Sequence, residues 1–142
     1  MKLNEVLDRP YPWIWKNKNF KDGGGEAEFK ADTQNYAYII NKLFGDEKYE
    51  IFFKNKSSRG DHYGIGKTKT GDEFKVFATV LDITKDFIKK VKPKIIEFSS
   101  KGSSRGELYK KLIKKFAIRF GYKIRSIDDN SNVLYFTLER IK

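Results

Sequence analysis

A short turn of serine and arginine carries the clearest chemical pattern in the sequence. Ser103, Ser104 and Arg105 precede a predicted helix, and Glu107 follows Ser104 at the spacing of a capping box. Helix N-termini present unpaired N–H groups and a positive dipole end, which attract phosphate or carboxylate groups. Two interpretations follow: Ser104 acts only as the helix cap, or the three residues of the turn form an anion-binding site.

Lysine dominates one face of the helix that follows this turn. Apolar residues at helical spacing predict a helix that ends near Gly121, with its apolar side turned to a core. We expect the opposite side to contact nucleic acid or an acidic protein. It carries Lys110, Lys111, Lys114, Lys115 and Arg119.

The composition agrees with an anionic partner. Thirty Lys and Arg residues oppose nineteen Asp and Glu residues, which gives a formal net charge of +11 and a pI near 9.7. Such a charge favours DNA, RNA, an acidic protein or an anionic cofactor, although abundant lysine also serves solubility alone. Arginine reads bases better than lysine does, so the dominance of lysine argues against sequence-specific recognition.

Several common kinds of catalytic site are not predicted. The chain has no cysteine and one histidine, His62, which excludes thiol catalysis and a histidine-rich metal site, and we expect no metal. Residues 66–68 (Gly-Lys-Thr) resemble the end of a P-loop, but Asp61 occupies the place of its leading glycine. His62 follows Asp61, and neighbours on a strand point to opposite faces, so they form no catalytic dyad. These patterns identify no catalytic residue.

Aromatic and acidic residues lead to two further interpretations. Asp82 and Asp86 share a predicted helix face with lysines, so we expect a solvated charged surface there. Aromatic residues at alternate strand positions would either pack in a core, which is the commoner arrangement, or stack bases on a sheet surface. Four residues have this spacing: Trp13, Trp15, Tyr36 and Tyr38.

Length and periodicity predict one α+β domain that covers residues 1–142. It has a short N-terminal segment (1–10), a β-meander (11–70) whose fifth strand covers 62–67, and a second half (71–142) of helix, strand, helix and two strands. The expected order is βββββ-α-β-α-ββ, in an antiparallel or mixed sheet with two main helices. No apolar run could span a membrane and no signal peptide is evident, so we expect a cytoplasmic protein with no membrane partner.

This order resembles that of the GNAT acyltransferase superfamily, and residues 116–123 (FAIRFGYK) look like the late helix-to-strand segment of that family. The resemblance covers most of the chain in element order. It implies acyl-CoA-dependent N-acyltransferase activity, with acetyl-CoA as the cofactor and with Thr70 and Gly71 in its binding loop. That loop keeps only the first glycine of the family's Q/R-x-x-G-x-G/A motif, and the family's late-helix tyrosine is replaced by Ala117.

A second resemblance is to small uncharacterised proteins of tailed phages. The opening residues 1–8 (MKLNEVLD) resemble the N-terminal targeting segments of phage internal head proteins. These resemblances imply a phage origin, and the host cytoplasm or the virion as the location. The resemblance to tailed-phage proteins rests on short segments of the C-terminal half, at residues 74–80, 98–99, 104–105, 108–109 and 121–122.

Three functions are therefore in competition. The first is a small basic phage-type binding protein that engages nucleic acid or an acidic partner, with no catalytic activity and no cofactor. The alternatives are a GNAT-like N-acyltransferase with a degenerate cofactor loop, and a phage virion or internal head component. The sequence does not determine the oligomeric state.

Overall fold

The computed structural model describes residues 10–20, 22–31, 34–43, 47–56, 73–101, 106–130 and 133–141. These residues form seven strands and two helices. The helices are α1 (Glu73–Val91), between the fourth and fifth strands, and α2 (Gly106–Arg119), between the fifth and sixth. The strands are β1 (Trp13–Asn17), β2 (Gly24–Ala31), β3 (Gln34–Lys42), β4 (Lys48–Asn55), β5 (Ile95–Lys101), β6 (Tyr122–Asn130) and β7 (Val133–Arg140).

The seven strands belong to one sheet, in the order β1-β2-β3-β4-β5-β7-β6. β4 and β5 are parallel, and every other pair of neighbours is antiparallel. The predicted α+β class and the mixed sheet with two main helices are confirmed, and the described elements follow the predicted order as ββββ-α-β-α-ββ. The predicted fifth strand of the meander, residues 62–67, lies outside the described residues.

Apolar side chains at alternate strand positions cover one face of the sheet. Both helices pack on this face, because each joins two parallel strands in the same direction along the sheet, and such crossovers are almost always right-handed. The Tyr38 hydroxyl of β3, for example, lies 2.7 Å from the Thr84 hydroxyl of α1. The bulkiest fully buried side chains include Tyr36, Tyr38, Phe53, Phe77, Phe87, Phe116, Tyr122 and Phe136.

The other face of the sheet, which we call the charged face, carries ion pairs between neighbouring strands. Lys48 of β4 pairs with Glu97 of β5 at 3.1 Å, and Lys123 of β6 pairs with Glu139 of β7 at 3.4 Å. These groups are partly exposed, so each pair contributes little to the free energy of unfolding. None of the described helices packs on this face.

Both helices are followed by a residue in the left-handed conformation. Gly121 (φ 80°) follows α2, as the sequence predicts for the residue after a helix. Lys92 (φ 53°) follows α1, and its N–H donates to the Ile88 carbonyl at 2.8 Å. Pro93 comes next and prevents the helix from continuing.

The closing hairpin differs from the one that the sequence predicts. Its polar residues 128–132 predict a turn, but Asp128 pairs with Tyr135 and Asn130 pairs with Val133, so β6 continues to Asn130. β6 is an edge strand, where polar side chains are tolerated because one side of the strand faces water.

Candidate functional site

The two parallel strands part at their carboxyl ends. Paired residues of β4 and β5 run from Lys48 and Ile95 to Phe52 and Ser99. Beyond this point β4 remains paired with β3, and β5 remains paired with β7, to the end of each strand. We call the space between the two strands beyond Phe52 and Ser99 the β4–β5 gap. Ligands of open sheets bind outside the carboxyl ends of parallel strands, and the gap is such a place.

The edges of this gap are backbone in extended conformation. Residues 53–55 of β4 and 100–101 of β5 have no partner on each other's strand among the described residues. Phe53 is fully buried, so polar backbone groups beside it need a hydrogen-bond partner. An extended ligand that contains amide groups can pair with such an edge as an added strand does.

Two lysines lie near the gap end of β4. Lys54 is half-buried on the charged face, and Lys56 follows the strand. The Lys56 ammonium group contacts the Glu28 carboxylate at 2.5 Å. This contact raises the pKa of Lys56 and lowers the pKa of Glu28, so both groups stay charged near neutral pH. Glu28 belongs to β2, on the side of β4 away from β5, so Lys56 is already paired there. Lys54 is therefore the cation at the gap end of β4 that suits an anionic ligand.

The predicted anion site and cofactor loop lie outside the described residues. These are Ser103, Ser104 and Arg105, and Thr70 and Gly71. Both assignments stay predictions.

The lysines that the sequence predicts on one face of α2 do lie on the outer side of this helix. Its opposite side packs in the core through Leu112, Ile113, Phe116 and Ala117, which are buried. On the outer side Lys111, Lys114 and Arg119 are exposed, and Lys110 and Lys115 are half-buried. Among these cations lies Ile118, which is 80% exposed and which the sequence analysis did not single out. We call this surface the α2 basic face.

The aromatic residues that were candidates for base stacking are packed inside the protein. Tyr36 and Tyr38 are fully buried. The indole N–H groups of Trp13 and Trp15 donate to the carboxylates of Asp82 at 2.8 Å and Asp86 at 2.7 Å. Core packing is thus the arrangement that the structure supports for these residues.

These indole contacts also correct the expectation of a solvated surface at Asp82 and Asp86. Burial acts to raise the pKa of Asp86, but hydrogen bonds from Lys90 and Trp15 outweigh it and hold the pKa below its usual value. The two contacts form together because Trp13 and Trp15 are two residues apart on a strand and Asp82 and Asp86 are four residues apart on a helix. Both separations correspond to about 6–7 Å. The alternation of Trp13 and Trp15 was visible in the sequence, but their helix partners were not.

Two residues in the segment that resembles the GNAT family, residues 116–123, are buried. Ala117, at the place of the family's late-helix tyrosine, is 1% exposed. Tyr122 is also buried, and its hydroxyl donates to the Pro93 carbonyl at 2.5 Å. Burial raises the pKa of Tyr122 to about 12. Neither position supplies a proton donor at the gap.

The described residues contain no cluster of three or more side chains that could hold a metal ion. Neither described helix combines the length and the apolar character that a membrane span requires.

The described elements define a mixed α+β fold with one seven-stranded sheet and two helices. Residues 26–139 match DUF6934, a family of unknown function, and the chain belongs to that family. An acetyltransferase of Bacillus subtilis, solved in complex with CoA, is similar at 16% identity and a TM-score of 0.42, over 97% of this chain and 80% of that chain. At that level the likeness carries no information on activity. No curated protein matches the chain.

Proposed function

We propose that this protein binds an acyl-CoA in the β4–β5 gap and transfers the acyl group to an amine. The observation that carries the proposal is the parting of the parallel strands after Phe52 and Ser99. The element order supports it, because the GNAT resemblance implies a cofactor in this region of the sheet. The phage origin and the virion location stay predictions, and the proposed activity does not depend on them.

The residues at the gap fit the chemistry of CoA. Its amide-bearing arm would pair with the backbone of residues 53–55, and its phosphate groups would lie near Lys54. The bound thioester would supply an activated carbonyl group. The protein's own part is to orient this group and to accept a proton from the attacking amine.

Glu50 is the carboxylate best placed to accept that proton. It lies on the charged face of β4, two residues before the gap, which corresponds to roughly 7 Å along the strand. Its carboxylate accepts one hydrogen bond, from the Asn41 amide at 3.2 Å. The neighbouring Glu97 is its partner in the β4–β5 register, but that carboxylate is held by the Lys48 ammonium group. Both carboxylates have further acceptor positions, but the partner of Glu50 is a neutral amide, whereas the partner of Glu97 is an ammonium group.

Lys54→Glu is expected to weaken CoA binding about three- to tenfold, because it replaces a cation beside the phosphates with an anion. The measurement is the thermal shift and the dissociation constant with acetyl-CoA, with CoA and with phosphate-free pantetheine. Lys30→Glu is the matched control, since Lys30 is exposed on β2 and the charge change is the same. The absence of any shift of the unaltered protein at millimolar acetyl-CoA would refute the proposed function.

A second candidate function is the binding of an acidic protein at the α2 basic face. Residues 110–119 contain no acidic residue, and the exposed Ile118 lies in the last turn of the helix beside these cations. A phosphate backbone is contacted by charged and polar groups, whereas a protein interface also buries apolar side chains. This feature favours an acidic protein over nucleic acid as the partner.

Lys111→Glu/Lys114→Glu is expected to abolish binding of an acidic probe to this face, because it turns two exposed cations into anions. The probes are a labelled peptide of alternating glutamate and leucine and labelled DNA and RNA strands, measured by fluorescence anisotropy at low and high salt. Lys30→Glu/Lys89→Glu changes the charge equally at exposed sites elsewhere and should bind normally. Stronger binding of the nucleic acids than of the peptide would favour a nucleic-acid partner instead.

A further inference from the structure

A second concave site lies at the opposite end of β4 from the gap. It has a volume of about 630 Å³ and lies between the β1–β2 turn, the start of β4 and the end of α1. Along β4, Tyr49 and Lys54 are roughly 17 Å apart, so this site is separate from the β4–β5 gap. We call it the Tyr49 pocket. Its lining includes Lys18, Phe20, Glu47, Tyr49, Lys90 and Val91.

The Tyr49 hydroxyl is the unusual group of this pocket. Tyr49 is only 3% exposed, and its ring packs edge-on against Phe87 with centroids 5.1 Å apart. Two other buried tyrosines have partners for their hydroxyls, Tyr38 with Thr84 and Tyr122 with Pro93. Among the described residues the Tyr49 hydroxyl has none. Buried polar groups are nearly always hydrogen-bonded, so this one points to a bound molecule in the pocket.

The pocket offers charges of both signs beside this hydroxyl. Burial, and next the Glu47 carboxylate, raise the pKa of Tyr49, which indicates that Glu47 lies near the phenol and that the hydroxyl stays protonated. Within the described part of the chain, Lys18 and Asp22 have no ion-pair partner. Phe20 and Val91 give the pocket an apolar wall.

The end of α1 adds a preference for a cation at one side. Lys90 and Val91 belong to the last turn of α1, where carbonyl groups form the negative end of the helix dipole. The Lys90 ammonium group is held by Asp86 at 2.5 Å. The Arg140 guanidinium also lies at this end, 4.0 Å from one oxygen of the Glu47 carboxylate and donating to the Lys92 carbonyl at 2.8 Å. The second Glu47 oxygen suits a ligand amine, and Lys18 suits a ligand carboxylate.

We propose that the Tyr49 pocket binds a small zwitterion with an apolar body, of the class of free α-amino acids. The amine would pair with Glu47, the carboxylate with Lys18, and the apolar side chain would lie against Phe20 and Val91. The Tyr49 hydroxyl would complete its hydrogen bonding with the ligand. This proposal is independent of the β4–β5 gap and of acyl-CoA.

The test is calorimetric titration of the protein with L-leucine, L-phenylalanine and L-tryptophan, and with an amine-free and a carboxylate-free analogue of each. At least one amino acid should bind, and its two analogues should bind tenfold or more weakly, because each analogue loses one of the two charged contacts. Failure of all three amino acids to bind would overturn the proposal. Equal binding of an analogue would overturn the zwitterion as the ligand class.

The Tyr49→Phe variant removes the hydroxyl and keeps the ring. We expect it to bind the amino acid about tenfold more weakly and to melt at the same temperature as the unaltered protein or higher, because no protein hydrogen bond is lost. Tyr135→Phe is the control, since Tyr135 is 49% exposed and lies on the charged face. Unchanged binding by Tyr49→Phe, or a melting temperature several degrees lower than that of the control, would contradict the proposal.

Discussion

Gly24→Ala is expected to lower the free energy of unfolding by about 3 kcal/mol. A Cβ at this position would overlap the Ile40 carbonyl oxygen and lie 2.8 Å from its carbonyl carbon. Both are backbone atoms of β3, which pairs with β2 along its whole length, so they cannot move aside without breaking the ladder. The φ of 152° at Gly24 adds backbone strain for any other residue.

A substitution at the neighbouring Gly23 distinguishes the effect of steric overlap from the effect of backbone strain. Gly23 has the same φ of 152°, but a Cβ there would meet no atom within 4 Å. Gly23→Ala should therefore lose only about 1 kcal/mol, from backbone strain alone. The measurement is urea denaturation of both variants. If both variants lose the same free energy of unfolding, the close contact between Gly24 and the Ile40 backbone does not destabilise the Gly24→Ala variant.

Glu50→Gln is expected to reduce acyl transfer about 100-fold, if an amine acceptor is found in a panel of free amines and lysine peptides. Glutamine keeps the shape of glutamate but cannot accept the proton. The assay follows CoA release with a thiol reagent. The variant should keep the KM for acetyl-CoA and the thermal shift that CoA causes, since Glu50 lies outside the gap.

Glu26→Gln is the matched control for this variant. Glu26 lies on β2 on the charged face, and it is two strands away from β4. It should transfer acyl groups at the unaltered rate. An equal loss in both variants, or no loss at Glu50, would remove Glu50 from the proposed reaction.

The elements were predictable because their periodicity is local. Strands and helices were recognised from alternation and from the 3.6-residue period, and Gly121 was recognised as the residue after α2. β6 was predicted too short, because polar residues such as Asp128 and Asp129 favour turns but are also stable on an edge strand.

The features that matter for function depend on contacts between distant residues. Trp13 and Asp82 are 69 positions apart, and nothing near either residue in the sequence indicates their hydrogen bond. The end of the β4–β5 pairing depends on the register of two strands that α1 separates. That the Tyr49 hydroxyl has no partner among the described residues depends on the packing around it, since Tyr38 and Tyr122 are also buried strand tyrosines and have partners.

The most direct test of the central claim is a titration of the isotope-labelled protein with CoA, followed by NMR of the backbone amides. We expect the largest chemical-shift changes at residues 53–55 and 100–101, which border the β4–β5 gap. Residues 48–51 of β4 should change little. Shifts confined to the α2 basic face would mean that CoA binds only as a general anion. That result, or no shift at millimolar CoA, would contradict the account.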